Sequence, residues 1–261
     1  MATAPAIRSP RTTLHTRGAW PSREDRIPSA VWLAILWAGM IAGFGTDASR
    51  YLHSKPPPPV IVHVHAAVFT VWMLLLTTQV LLVLGNRVSV HRKLGWFLVG
   101  WACLMAFMGP AAFISVAAQA AKLHGPFPDP FLSVNIVDIA GFLILLPWGI
   151  ALRKNPAAHK RMMILSTISL ADPGFARFSS FLIPAEPHSV VVWFLDVFYG
   201  NILLIVLMAA WDWYRGRLIR SFVIGAASLI AAEYLASALY FWKPWQQLTM
   251  GWVTVWAKHF A

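Results

Sequence analysis

The sequence predicts an all-α membrane protein, a polytopic bundle of about seven transmembrane helices. Of its 261 residues, 58% are hydrophobic and 12% are charged, about half the charged share of an average soluble domain. Seven apolar runs follow one another, each close to the roughly 20 residues that a spanning helix needs. The predicted helices cover residues 29–47, 61–84, 95–121, 131–152, 161–183, 189–211 and 218–241.

Two polar flanks enclose the predicted seven-helix domain, residues 29–241. Residues 1–28 are rich in Arg, Pro, Ser and Thr and lack an apolar stretch at signal-peptide distance, which predicts a disordered basic cytoplasmic tail. Residues 242–261 contain four closely spaced tryptophans, which favours an interfacial helix on the membrane surface. The alternative for this C-terminal segment is a face that binds a membrane-protein partner.

The orientation follows from the distribution of Lys and Arg. Fifteen of them lie in the tail and in the loops after the second, fourth and sixth helices, and five lie on the opposite side. Basic residues favour the cytoplasmic side, so the N-terminus is predicted inside and the C-terminus outside. The net charge of +11 is confined to such short segments, which argues against nucleic acid and for the lipid bilayer as partner.

Two functional classes are excluded by single residue types. The one cysteine, Cys103, lies inside an apolar run, so there is no disulfide framework and no thiol-based metal motif. A retinal protein needs a lysine in its last helix for the Schiff base, and residues 218–241 contain none. The remaining chemistry must come from histidines, acids and arginines.

The fifth apolar run carries an acid, a helix breaker and a base. Pro173 cannot donate a backbone hydrogen bond, and it pushes Asp172 out of the helical region. We therefore predict a broken helix in which Asp172 is the N-cap and Pro173 begins the second half. Arg177 is predicted to pair with Asp172. A buried ionisable residue at such a break marks a candidate site, the alternative being a simple capped kink.

Polar residues from five helices fall in the outer half of the predicted bundle, at depths counted from about 1.5 Å of rise per residue. Burying several unpaired charges is costly, so they must pair, bind an ion or face water, which predicts one outward-facing polar cavity. Alternatively, each is a cap, a snorkelling side chain or a paired charge. The eight polar residues of this predicted cavity are His63, His65, Asn135, Asp138, Asp172, Arg177, Asp196 and Glu233.

His63 and His65 begin the second helix and form the candidate metal site with Asp138 and Asp196. Neutral imidazole and carboxylate ligands suit zinc, iron or copper. On a regular helix the two rings point about 200° apart, so one ion binds both only if this helix end is extended or frayed. The alternative is a pair of interfacial histidines without a metal.

His91 and His159 are the candidate cofactor ligands of the inner side. Each opens a His-basic-basic-apolar tetrapeptide that follows a cytoplasmic turn, which suggests two copies of one helical hairpin. Two histidines on neighbouring helices suit a haem, with Arg and Lys meeting its propionates. The interpretation as ordinary basic flanks is favoured over haem, because a haem needs its histidines inside the apolar zone.

These histidine motifs also carry a resemblance. The His63-Val-His65 helix start, the segment from Gly85 to Gly95 and the segment from Asn155 to Met163 are similar to a widespread group of uncharacterised bacterial multi-pass membrane proteins. The similarity covers roughly the second to the fifth helix. It implies the bacterial inner membrane and no particular reaction.

Three functions are compatible with these patterns. The first is a metal- or redox-linked protein that uses the outer-half His/Asp/Arg cavity. The second is a small-substrate or proton-coupled transporter in which the broken helix and the same carboxylates bind the cargo. The third is an accessory subunit whose tryptophan-rich segment docks on a larger membrane complex.

Overall fold

The computed structural model describes residues 23–182 and 189–260, and within these ranges the chain is helical with no strand. The helices are α1 Arg23–Leu52, α2 Val60–Leu84, α3 Val88–His124, α4 Leu132–Ala151, α5 Pro156–Ile168, α6 Asp172–Leu182, α7 Val190–Tyr214, α8 Arg220–Phe241 and α9 Lys243–His259, with a 3-10 turn at Leu152–Lys154. Most of the predicted disordered tail lies outside the described residues, but α1 begins at Arg23, six residues earlier than predicted.

Six helices are long and apolar enough to cross a membrane: α1, α2, α3, α4, α7 and α8. This confirms the prediction of a multi-pass helical membrane protein. The fifth predicted helix, residues 161–183, is instead two short helices, α5 and α6, and neither reaches spanning length alone. The count of seven therefore depends on whether this broken pair crosses as one unit.

The break between α5 and α6 lies where the sequence predicts it. Helix α5 ends at Ile168, three residues of turn follow, and α6 begins at Asp172. The amides of Gly174 and Phe175 both donate to the carbonyl of Ala171, so the second half begins one residue earlier than predicted. The predicted cap is wrong, because neither carboxylate oxygen of Asp172 has a hydrogen-bond partner in the described residues.

Helix α6 packs closely on α1 through glycines. A side chain at Gly43 of α1 would overlap the backbone carbonyl of Gly174 on α6. A side chain at Gly39, one turn earlier, would overlap the ring of Phe175. The spacing of Gly39 and Gly43 is the small-xxx-small pattern that lets two membrane helices approach backbone to backbone. This contact holds the short second half-helix in place.

Trp72 joins three helices at the centre of the apolar core. Its ring meets Phe142 of α4 edge-on, with centroids 5.0 Å apart, and its indole Nε1 donates to the Thr167 hydroxyl of α5 at 3.3 Å. Both aromatic rings are fully buried. Helices α2, α4 and α5 are therefore fixed relative to one another just beside the histidines described below.

The C-terminal segment forms α9, which packs against the end of α3 through Val253, Ala117 and Ala121. The loop between α3 and α4 holds it further. The Thr249 hydroxyl accepts a bond from the Asp129 amide at 3.1 Å, and the Trp245 indole donates to the Pro130 carbonyl at 3.1 Å. The end of α8, the start of α9 and the end of α3 thus lie together at one end of the bundle.

Candidate functional site

His91 lies in the first turn of α3, directly after a tight reversal from α2. Asn86 has a φ of 57°, a left-handed conformation that Asn tolerates better than most residues, and it turns the chain back along α2. The His91 amide donates to the carbonyl of Arg87, the N-cap of α3. Its ring Nδ1 lies 3.4 Å from the Gln79 carbonyl of α2.

His159 occupies the equivalent position in α5. Asn155 caps this helix by accepting a bond from the Ala158 amide at 3.2 Å, and Pro156 follows at the first helical position, where its missing N–H costs nothing. The His159 amide donates to the Asn155 carbonyl, and its ring Nδ1 lies 2.8 Å from the Gly149 carbonyl in the last turn of α4. Helix-terminal carbonyls lack helical partners, so this one is available to orient the ring.

The structure brings the two histidine rings together. Their centroids lie 6.3 Å apart and their planes are nearly perpendicular, at 87°. Each Nδ1 is directed to a backbone carbonyl, which leaves the opposite nitrogen, Nε2, as the atom that can bind a ligand. The interpretation of His91 and His159 as unrelated basic flanks therefore does not describe their geometry.

A cavity of about 450 Å³ adjoins both rings, and we call it the histidine pocket. Its wall is mainly apolar and includes Trp72, Leu76, Leu98 and Leu146. Four cationic residues line the same cavity: Arg92, Arg153, Lys154 and Lys160. An apolar chamber with two imidazoles and a set of cations suits a flat, apolar, anionic cofactor.

A buried ion pair supports α5 just beyond His159. The Arg161 guanidinium donates two hydrogen bonds to the carboxylate of Asp212 on α7, and both side chains are buried. It also donates to the Ala157 carbonyl at 2.8 Å. Arg161 is the first residue of the predicted fifth helix, and Asp212 lies just past the predicted end of the sixth, so this pair was not predicted. A lone acid beside the predicted end of an apolar helix was the signal for this pair.

A second group of polar residues meets at the break between α5 and α6. Asp138 of α4, Asp172 of α6 and Glu233 of α8 are all buried, and we call them the acid cluster. The Asn201 amide Nδ2 of α7 donates to Glu233 Oε1 at 2.8 Å. Three of the predicted outer-half residues thus come together, whereas Asn201 was not predicted, although it is a polar residue in an apolar helix.

The acid cluster contains several atoms without partners. In the described ranges, Oδ1 of Asp138, both carboxylate oxygens of Asp172, Oε2 of Glu233 and Oδ1 of Asn201 have no hydrogen-bond partner. The Asp138 and Asp172 carboxyl groups are neighbours in this cluster. Two carboxylates are both acceptors, so a bond between them requires a proton.

The predicted metal set is not assembled. Helix α2 is regular from Val60, so His63 is exposed while His65 turns inward and stacks on Phe69 with centroids 4.2 Å apart. Asp196 is half-buried on α7, beside Tyr199. In the part of the chain that the structure describes, no three His, Cys, Asp or Glu side chains have the arrangement of a metal site. Asn135 is half-buried and lies one turn before Asp138.

Arg177 does not pair with Asp172, which corrects the prediction. Its Nε donates to Asp47 of α1 at 3.1 Å, its Nη1 donates to the Pro173 carbonyl at 2.6 Å and its Nη2 donates to the Tyr51 hydroxyl at 3.3 Å. Asp47 was placed at the very end of the first helix, but α1 continues to Leu52. The extra turn aligns Asp47 and Tyr51 on the face that meets Arg177.

Comparison of the chain with protein-family models, with curated proteins and with solved structures finds no match. Function must therefore be argued from the histidine pocket and the acid cluster themselves.

Proposed function

We propose that this chain is a membrane-embedded haem protein in which His91 and His159 bind one iron from opposite sides. The distance between the rings carries this proposal. An imidazole nitrogen binds a transition metal at about 2 Å and the ring centre lies roughly 1 Å behind it, so two rings on opposite sides of one ion have centres about 6 Å apart. The observed separation is 6.3 Å.

The surroundings of the rings support the same assignment. Metal-bound histidines normally donate their second ring N–H to a backbone carbonyl or a carboxylate, which fixes the tautomer and the ring orientation. The Gln79 and Gly149 carbonyls lie where that role requires them. This contact restrains the rotation of each ring.

The pocket also fits the body and the charges of a haem. A volume of about 450 Å³ lies within the range of roughly 300–1,000 Å³ that small-molecule sites occupy. Its apolar wall suits the macrocycle, and the cations Arg92, Arg153, Lys154 and Lys160 suit the two propionates. The chain has a single cysteine, far from either histidine in sequence, so the haem is held without covalent thioether bonds. A haem with two histidine ligands supplies one-electron transfer.

The placement of α9 supports a seven-helix topology with the termini on opposite sides. Helix α9 follows α8 directly and packs on the end of α3, so α3 and α8 end on the same side of the bundle. This requires α5 and α6 together to cross once between α4 and α7. The positive-inside distribution then puts the N-terminus and the histidine pocket on the cytoplasmic side. The motif resemblance favours a bacterial inner membrane.

In this proposal the metal is bound in the histidine pocket and not at the predicted outer site, because the residues of the outer site do not come together. A partner role for the C-terminal segment remains part of the proposal. Trp242, at the start of α9, is about half exposed, and this face meets either the outer lipid headgroups or another membrane protein. The proposed function involves no binding of nucleic acid.

The test is a spectrum of the purified protein. Protein produced with adequate haem, or mixed with haemin in detergent, is expected to carry one haem per chain with an absorption spectrum typical of two nitrogen axial ligands. His91→Gln and His159→Gln should each reduce retained haem to roughly a tenth or less. His63→Gln is the matched control, since His63 is exposed outside the pocket, and it should retain the haem in full.

Two results would contradict the proposal. One is wild-type protein that stays folded but takes up no haem under either condition. The other is a spectrum that is unchanged in both the His91 and the His159 variants, which would place any bound haem elsewhere. Thermal unfolding of each variant, measured on the same samples, separates loss of the ligand from loss of the fold.

A further inference from the structure

We propose that Asp138, Asp172 and Glu233 form a proton-binding site that is separate from the histidine pocket. Along α4, Asp138 precedes Gly149, whose carbonyl contacts His159, by eleven residues, or roughly 16 Å at 1.5 Å per residue. The acid cluster therefore neither contacts the rings nor lines the cavity between them. The ligand inferred for the cluster is one or more protons shared among carboxyl groups.

The first reason for inferring bound protons is that these acids are buried and form no salt bridge within the described part of the chain. Asp172 and Glu233 are each 1% exposed and Asp138 is 6% exposed. Among residues 23–182 and 189–260, none of these acids forms a salt bridge. A buried ion costs several kcal/mol even after relaxation, and three adjacent anions would also repel one another. Proton binding removes charge and converts an acceptor into a donor.

The second reason for inferring bound protons is that several oxygens of the acid cluster lack a hydrogen-bond partner among the described residues. In the part of the chain that the structure describes, Asp138 Oδ1 and both carboxylate oxygens of Asp172 are buried side by side without a hydrogen-bond donor. One proton between them satisfies an oxygen on each side. Asn201, which is fully buried, donates to one oxygen of Glu233 and leaves its own Oδ1 without a partner. This amide is directed into the cluster and fixes one carboxyl group for proton exchange.

The groups facing Asp172 from its neighbours define its electrostatic setting. Helix α4 contributes Asp138, and α8 contributes Glu233. Helix α6 itself contributes Arg177, which is engaged by Asp47 of α1. Helix α7 contributes Tyr199, whose hydroxyl donates to the Phe175 carbonyl. Ser166 near the end of α5 and Ser169 in the following turn are buried and uncharged.

The helix break gives this site a local hinge. Residues 169–171 form a turn, not a helix, so Asp172 can shift without bending a continuous helix. The Ser169 hydroxyl links the break to α4, donating within 2.8 Å of the Ser166 carbonyl and within 3.4 Å of the Asp138 carbonyl. Broken helices of this kind form ion and substrate sites inside membrane bundles.

Infrared spectroscopy of the full-length protein in detergent tests this proposal. At neutral pH, the wild-type protein is expected to show the carbonyl band of protonated carboxylic acids, shifted in heavy water. Asp172→Asn and Asp138→Asn should each remove the component that belongs to the shared proton. Asp47→Asn is the control: Asp47 bonds with Arg50 and Arg177, so its loss should remove carboxylate intensity and leave the carboxylic acid band in place.

The proposal is overturned if the wild-type protein has no protonated carboxyl band at neutral pH. It is equally overturned if the band persists unchanged in the Asp138 and Asp172 variants. Should either variant fail to fold, Glu233→Gln tests the third member of the site, because it removes that carboxyl group while keeping an acceptor for Asn201. A carboxylic acid band unchanged in this variant would overturn the assignment of a proton to Glu233. The measurement needs no haem, so its outcome is independent of the proposed function.

Discussion

The histidine pocket and the acid cluster lie near opposite ends of α4 and α5. They differ in the hydrogen bonding of their polar groups and in the open space around them. At the histidine pocket each ring has a carbonyl partner, and an open volume of about 450 Å³ adjoins the two rings. At the acid cluster several oxygens have no partner, and packing is close: a side chain at Gly141 would approach Ser169 Cβ to 3.1 Å. Oriented ligands beside a cavity suit a large cofactor. Unsatisfied acceptors in a packed interior suit a proton.

Removing the cation that pairs with Asp212 should have the largest effect on stability. Asp212 would then be a buried acid without a salt bridge, like the members of the acid cluster. Arg161→Met leaves the Asp212 carboxylate buried without its cation and is expected to lower the free energy of unfolding by about 3–5 kcal/mol. Arg161→Met combined with Asp212→Leu should cost clearly less. Equilibrium unfolding in detergent provides the double-mutant cycle. Strictly additive losses would show that the two side chains do not act as a pair.

Gly43→Ala should separate the two regions, because it disturbs only the half-helix that carries Asp172. The added methyl group would overlap the Gly174 carbonyl, and overpacking of this kind costs about 1–3 kcal/mol. We expect lower thermal stability and an altered carboxylic acid band, with haem binding retained. Gly45→Ala is the control, since a side chain there meets nothing within 4 Å. Equal effects of the two substitutions would argue against the close contact of α1 and α6.

A smaller effect is expected at Arg177, whose pairing distinguishes the structure from the sequence prediction. The Arg177–Asp47 pair is partly exposed, with 29% and 13% of the side chains accessible, so its coupling free energy should be about 0.2–1 kcal/mol. The cycle compares Arg177→Met with Asp47→Asn and then with Asp172→Asn. A stronger coupling to Asp172 than to Asp47 would restore the original prediction and weaken the case for an unpaired acid cluster.

His63→Gln should have the smallest effect. The ring is exposed on α2, and substitutions at such positions usually change stability by less than about 0.5 kcal/mol. Haem content, the carboxylic acid band and the melting temperature should all match the wild type. A measurable loss of bound iron or another transition metal in this variant would return His63 to the candidate ligands and with it the outer metal site.

Sequence patterns predicted the elements that depend on local chemistry. Long apolar runs located six spanning helices, and Pro173 located the break to within one residue. The cost of burying charges predicted one cavity for eight polar residues, and three of them, Asp138, Asp172 and Glu233, come together. Asn155 and Pro156 form a typical helix start, and α5 begins there, five residues before the predicted start at residue 161.

Side-chain pairing across helices was much harder to predict. Whether Arg177 meets Asp172 or Asp47 depends on how α1 and α6 are rotated and on one more turn of α1, and neither follows from periodicity. The same holds for the metal set, since His63 and His65 needed an irregular helix start that Val60 does not provide. The 6.3 Å separation of the His91 and His159 rings could not be predicted either, because it depends on how the two hairpins pack.

Both histidines occupy the fourth position after the N-cap of their helices, Arg87 for α3 and Asn155 for α5. The positive ends of two helix dipoles are therefore directed toward the same chamber, next to four cations. Such a field stabilises added negative charge, so a haem iron held between these helix starts gains an electron more readily than one in a neutral apolar site. For the proposed haem, we therefore expect the starts of α3 and α5 to raise the reduction potential.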